Sequence, residues 1–328
     1  MVAAVTGQQI REKNPTGVAK QLGMAKTEGI AAPLTADVEH TLAPLEPWWR
    51  AALTSPLSAP PHHPVKHSQG VTALSVMGTA AASNKQLARG WLMVYREHQS
   101  GTESLTSLLA VIRCLRKLEA SAAFQSRLAW EVEQRCDGSD PTSETGEGAQ
   151  DYSEENYAYG STPYVSWHQV LRHMDVSAAA ARSMAHPGRR YMVWGSSTGW
   201  LAFYGRITYG WDTVGHELLT CLVEAAQSAS MECGIAGVQF LQGDLLSSDL
   251  SNVGVLMMTN QCWDKDLVAK AVLKAGQELP HGAVLVEYSG ACKHSSSFTH
   301  TASVTVPVSW DASHTLHCYV AGRDDDVA

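Results

Sequence analysis

The sequence contains no C-x-x-C pair. Its seven cysteines, Cys114, Cys136, Cys221, Cys233, Cys262, Cys292 and Cys318, are odd in number and scattered. That usage reads as reduced thiols in a cytosolic or nuclear setting, not as a disulfide framework. No apolar run approaches the ~20 residues that a transmembrane helix needs. The opening stretch MVAAVTGQQIREKNPTG lacks a secretory apolar core and is poor in the Arg and Ser of a transit peptide. The expectation is a cytoplasmic protein, with the nucleus as the alternative and no membrane association. A concentrated basic stretch is also missing: 24 Lys and Arg stand against 32 Asp and Glu, for a net charge of −8. Strong binding to nucleic acid is therefore not expected. There is no G-x-S-x-G nucleophile elbow. The three histidines of HHPVKH (62–67) have no Cys or acid at metal-ligand spacing. They read as exposed loop, and no metal site is expected.

What is present is ample material for a core. The chain has 328 residues, 45% hydrophobic and 17% charged, enough for one large or two ordinary domains. The acidic excess falls entirely after residue 150. Residues 1–35 are polar and punctuated by Gly and Pro, which predicts a flexible segment. Residues 36–150 predict a helical cap domain followed by an acidic linker. Within them, 36–53 and 82–99 carry helical apolar spacing, and 102–135 carry the longest such stripe. CDGSDPTSETGEGAQDYSEEN (136–156) is polar, acidic and Gly-rich, as a linker or loop would be.

From Tyr157 onward the texture changes. Apolar runs at 191–195, 211–217, 236–241, 253–259 and 283–288 read as strands, and 199–209, 218–233 and 264–279 between them read as helices. That alternation predicts a parallel sheet covered on both faces. The last two runs, 302–308 and 314–321, are too close together for a helical crossover and are expected to pair antiparallel. A Rossmann-like parallel sheet ending in an antiparallel hairpin, over 151–328, is the layout of the class I S-adenosylmethionine methyltransferases.

The stretch YMVWGSSTGWLAFYG (191–205) places Gly195, Ser196, Ser197, Thr198 and Gly199 in the turn after the first strand. Ligands of open α/β sheets sit beyond the carboxyl ends of the strands, and glycines there let backbone approach them. Glu217 ends the second strand, 22 residues after Gly195, a spacing suited to an acid that grips ribose hydroxyls. Asp244 follows the third strand, where an acid can accept from an adenine amine. With their neighbours Leu218 and Leu245 these form the expected cofactor site. Each acid taken alone also fits a helix-start or N-cap role.

Residues 157–289 resemble the Dot1-like protein lysine methyltransferases. YAYGSTPYVSWHQVL (157–171) resembles the family's Y-G-E-T-like loop over the methionine end of the cofactor. VWGSSTGWLAFYG resembles its D-L-G-S-G-x-G loop. VGHELLTCLVEAA resembles the strand-two acid and the helix after it, and VLMMTNQCWDKDLVAKAVLKAGQELPHGAVLVEYS (255–289) the segment where N-N and an aromatic follow strand four. The resemblance implies S-adenosylmethionine as cofactor, with Tyr159, Gly160 and Thr162 over its methionine end. It also implies Asn260, Trp263 and Tyr159 at the reaction centre: Asn260 to orient the acceptor nitrogen, Trp263 as a wall of its channel. Four positions depart from the pattern. Val193 replaces the acid that opens the loop, Ser197 the middle glycine, Ser161 the glutamate of Y-G-E-T, and Gln261 the second Asn. The acceptor implied is a protein lysine, while the acidic surface and large cap suit a small molecule. The alternative is a catalytically inert methyltransferase-like module that binds a partner.

Overall fold

The computed structural model describes residues 102–136, 154–157 and 161–322. Expectations for residues 1–101, for most of the acidic linker, and for Tyr159 and Gly160 lie outside them. The described elements run, in chain order, α1 Thr102–Glu119, α2 Ala122–Cys136, α3 Tyr164–Leu171, α4 Met174–Met184, β1 Arg190–Trp194, α5 Trp200–Tyr209, β2 Thr213–Glu217, α6 Thr220–Glu232, β3 Val238–Gln242, β4 Val253–Met258, α7 Lys265–Glu278, β5 Val284–Glu287, β6 Phe298–Val306 and β7 His314–Ala321. Single 3-10 turns occupy Glu154–Tyr157, Leu245–Ser247 and Ala291–His294.

The strands form one seven-stranded sheet in the order β3-β2-β1-β4-β5-β7-β6. Strands β1 to β5 are parallel, and β7 lies antiparallel to both β5 and β6. This is the class I methyltransferase layout expected from the alternation of strands and helices, with the last strand inserted between β5 and β6. The order reverses between β1 and β4, so the crevice beyond their carboxyl ends is the ligand-binding position of such a sheet.

Alternation along β1 divides the core in two. Tyr191 and Val193 point to one face with Val255, Met257 and Val286, beneath α1, α3, α4, α5 and α6. Met192 and Trp194 point to the other with Leu256, Met258 and Leu285, beneath α7. Central strand β4, VGVLMM, is buried at all six positions, as a parallel strand covered on both faces must be.

Two local expectations are corrected. The apolar stripe over 102–135 is two helices, not one. Ser121 interrupts it: its hydroxyl accepts from Phe124 N at 3.5 Å and its carbonyl from Gln125 N at 3.0 Å, starting α2 afresh. Both helices pack on the sheet region itself: Leu108, Val111 and Leu115 share the core of β1 and β4, and Leu128 and Val132 pack with Leu219 and Leu222. Second, much of 157–171 is helix and not loop, because the chain turns into α3 directly after Pro163, a residue that tolerates a helix start.

Candidate cofactor site

The loop 195–199 leaves β1 through two left-handed glycines. Gly195 has φ +71, and a Cβ there would come 2.3 Å from Thr259 Oγ1. That hydroxyl donates to the carbonyls of Trp194 and Gly195, both at 3.0 Å, and so locks the strand end to the residue after β4. Gly199 has φ +95, and a Cβ there would meet the Phe240 ring at 2.7 Å. Ser197 keeps a left-handed φ of 51 despite its side chain. That conformation costs roughly 1–2 kcal/mol in a non-glycine residue. It is held in place: Ser197 N donates to Glu217 Oε2 at 2.8 Å.

Glu217 is the hub of the loop. Besides Ser197 N, its other oxygen accepts from Leu218 N at 2.7 Å and Leu219 N at 3.2 Å. Burial raises its pKa, and the three backbone N–H groups act in the opposite direction. A carboxylate offers about four acceptor sites, so one remains for a ligand hydroxyl. Asp244 has an N-cap role: its Oδ1 accepts from Leu246 N at 2.8 Å and starts the 3-10 turn.

A cavity of about 230 Å³ opens beside this loop. That lies just below the ~300–1,000 Å³ usual for small-molecule clefts, a size for one small ligand. Its polar rim is Gly195, Ser196, Ser197, Glu217 and Asp244, and its apolar walls include Leu201, Leu222, Trp263 and Tyr288. Thr162, Leu218 and Leu245 also line it. Thr162 is buried and its hydroxyl meets Tyr288 Oη at 2.5 Å. Trp263 is a wall of the cavity and also packs against the core under α7. The 3-10 turn before α3 contributes Asn156 and Tyr157. Asn156 bridges to the start of α7, accepting from Asp264 N at 2.8 Å and donating to the Asp264 carboxylate.

Two expected residues lie elsewhere. Thr198 is fully buried beneath the loop and donates to Glu119 Oε1 at 2.5 Å. Asn260 is buried with its amide committed. It donates to Glu287 Oε2 at 3.0 Å and Ser289 Oγ at 2.8 Å, and accepts from Tyr288 N at 3.0 Å. It ties the end of β4 to the end of β5 and is not among the residues that line this cavity. Val193 is fully buried among apolar residues, paired in register with Gly215 and Met257, so a carboxylate there would enter the core. Ser161 engages Ser309 through its N–H and carbonyl, at 2.9 and 3.0 Å.

Several cavity residues escaped the sequence reading. His216 precedes Glu217, and burial lowers its pKa. Trp310 arrives from the β6–β7 connection, and Thr259 and Tyr288 stand at the ends of β4 and β5. Four buried polar atoms on the cavity lining have no hydrogen-bond partner: Ser196 Oγ, Ser197 Oγ, His216 Nδ1 and Trp310 Nε1. Buried polar atoms are nearly always paired. All four atoms are closed to solvent, and the His216 ring also has a backbone partner at Gly243. Among the described residues no group of three or more His, Cys, Asp or Glu is arranged to hold a metal ion.

No family model and no curated protein matches the sequence. Solved structures of similar fold include an RNA methyltransferase from Salinibacter ruber in complex with S-adenosyl-L-homocysteine, at 20% identity, covering 50% of this chain and 95% of that one with a TM-score of 0.39. Another is the magnesium protoporphyrin IX methyltransferase from Synechocystis with bound S-adenosylmethionine, at 14% identity, covering 51% of this chain and 88% of that one with a TM-score of 0.36. A third is TrmN from Thermus thermophilus, at 17% identity, covering 48% of each chain with a TM-score of 0.39. The likeness is one of fold alone.

Proposed function

We propose that the chain is an S-adenosylmethionine-dependent methyltransferase whose cofactor occupies the cavity at the ends of β1, β2 and β3. The observation that carries this reading is the position of the cavity, at the carboxyl ends of the strands beside the reversal of strand order, with Gly195, Ser197, Glu217 and Asp244 in its lining. In it, Glu217 accepts from ribose hydroxyls with its remaining acceptor site, and Asp244, with Leu245, meets the adenine edge. Gly195, Ser196 and Ser197 face the amino-acid end, where the left-handed backbone brings main chain close. Thr162 lines that end, and the Dot1-like resemblance assigns Tyr159 and Gly160 to it as well. Bound there, the cofactor supplies an electrophilic methyl on a sulfonium.

The chain's own contribution is alignment and exclusion of water. Leu201, Leu222, Trp263 and Tyr288 form dry walls, and the Asn156–Asp264 bridge crosses to the start of α7. An amine acceptor entering beside Trp263, Tyr288 and Trp310 would meet an apolar, aromatic surface. Desolvation there lowers an ammonium pKa and frees the lone pair without a dedicated base. A protein lysine is the acceptor suggested by the Dot1-like resemblance, and the acidic chain favours it or a small amine over a nucleosome-bound one. Val193 points into the core and Ser161 is tied to Ser309, so neither position puts a carboxylate at the amino-acid end, which supports the second reading, a catalytically inert methyltransferase-like module that binds a partner.

Titration calorimetry with S-adenosylhomocysteine and S-adenosylmethionine tests the proposal. Micromolar binding, weakened at least tenfold in Glu217→Ala and Asp244→Ala, is expected. No heat at millimolar ligand would overturn it. Binding without methyl transfer to any of a panel of peptides, amines and thiols would favour the inert module.

A further inference from the structure

Two carboxylates from the helices that precede the sheet grip the two loops of the cofactor site. Glu119, the last residue of α1, accepts through Oε1 from Thr198 Oγ1 at 2.5 Å and from Trp200 Nε1 at 2.7 Å. Thr198 sits in the middle of the glycine loop and Trp200 opens α5 behind it. Glu131, buried in α2, accepts from the backbone N–H groups of Thr220 and Cys221 at 2.5 and 2.8 Å. Those are orphan donors of the first turn of α6, a place where a negative charge is favoured. Arg135, one turn further along α2, donates to Leu218 O at 3.2 Å. So α1 fixes the loop that follows β1, and α2 fixes the loop that follows β2.

Between these two grips lies Glu217, whose carboxylate joins Ser197 N of one loop to Leu218 and Leu219 N of the other. The three acids form one continuous frame: Glu119 on Thr198, Glu217 between the loops, Glu131 on Thr220. Only Glu217 faces the cavity. Glu119 is set among Thr198, Trp200, Arg116 and Tyr204, and burial raises its pKa. It has two donors on one oxygen and a cation nearby, an arrangement specific to this loop. The amino-acid sequence separates these partners by 79 and 90 positions, so the frame exists only because α1 and α2 pack on α5 and α6.

We infer that Glu119 and Glu131 are positioning residues for cofactor binding, so that the helices preceding the sheet set the affinity of a site they do not line. This rests on the cofactor reading above. Preorganisation is the physical basis. A loop already held in its binding conformation loses little entropy when ligand arrives, whereas a released loop must be ordered at that moment. Release of one grip is expected to weaken binding about tenfold, ~1.4 kcal/mol, because the loop must then be ordered as ligand binds.

The test uses the full chain with S-adenosylhomocysteine as probe. Binding is measured for wild type, Glu119→Ala, Glu119→Gln, Thr198→Val and the Glu119→Ala/Thr198→Val double variant, with Glu131→Gln as an independent member. Expected are a roughly tenfold loss for Glu119→Ala and partial rescue in Glu119→Gln, which keeps an acceptor oxygen. The double variant is expected to lose no more than Glu119→Ala alone, since both remove one interaction. Amide hydrogen exchange without ligand is the second readout. Glu119→Ala is expected to quicken exchange in 195–203, and Glu131→Gln in 217–223, with the β4 amides unchanged. Wild type that binds no probe would defeat the cofactor reading while the exchange data still judge the frame. Unchanged exchange in both loops, or additive losses of affinity in the double variant, would overturn the inference.

Discussion

Gly195→Ala probes the turn on which the site depends, and its cost is readable from two distances. At φ +71 any L-residue incurs the left-handed penalty, roughly 1–2 kcal/mol. The added Cβ also falls 2.3 Å from Thr259 Oγ1, well inside contact. Thr259 cannot rotate away freely, because its hydroxyl holds the carbonyls of Trp194 and Gly195. Overpacking of this kind costs about 1–3 kcal/mol. Gly188 supplies the control: its φ is +78, yet nothing lies within 4 Å of a methyl added there. Gly188→Ala therefore carries the backbone penalty alone. The expected difference between the two variants is ~1–3 kcal/mol, read by urea denaturation. It corresponds to about 2–4 °C in Tm for each kcal/mol in a chain of this size. Thr259→Ala placed in the Gly195→Ala background removes the blocking oxygen and is expected to recover part of the loss. Equal destabilisation of Gly195→Ala and Gly188→Ala would refute the close-contact argument.

Asn260→Ala is expected to act on stability, by about 1–3 kcal/mol, because it removes three bonds that tie the end of β4 to the end of β5, although the fully buried Glu287 keeps the Ser289 N and Oγ donors; a variant of wild-type stability in thermal denaturation would contradict this. His216 has a pKa lowered by burial, so the fold favours its neutral form. Its contribution is present above the unfolded value near 6.5 and is lost as pH falls through the lower folded value; His216→Asn is expected to lose less stability than wild type between pH 7 and pH 5 in urea melts. Cys114 and Cys318 are buried thiols pushed up to about 12, so both are expected to resist alkylation by iodoacetamide at pH 8 in the native protein and to react after denaturation. Rapid native alkylation of either, seen by peptide mass spectrometry, would contradict the packing around α1 and β7.

The site is partly legible in the chain. Gly195, Ser196, Ser197, Glu217 and Asp244 are expected together because strand ends recur at regular intervals and a parallel sheet gathers those ends on one edge. Asn260 is expected to face a ligand for the same reason, yet its amide turns inward. What decides this is Glu287 and the Tyr288 N–H, partners from β5 whose proximity no local pattern announces. His216 draws no notice in the sequence because a histidine before a strand-end acid has no distinguishing spacing. Glu119 reads as an ordinary end-of-helix acid, since its partners are 79 and 81 positions away.

From β1 onward the sequence by itself determined the type and order of the elements: apolar runs of strand length, helical stripes between them, and a closing pair too short for a crossover. It did so because periodicity and turn chemistry are local properties of the backbone. Tertiary structure alone decided the insertion of β7 between β5 and β6, the packing of α1 and α2 on the sheet helices, and which polar groups met one another. Those outcomes depend on burial of distant surfaces, where a carboxylate such as Glu119 or Glu131 finds its donors only after the apolar faces have closed.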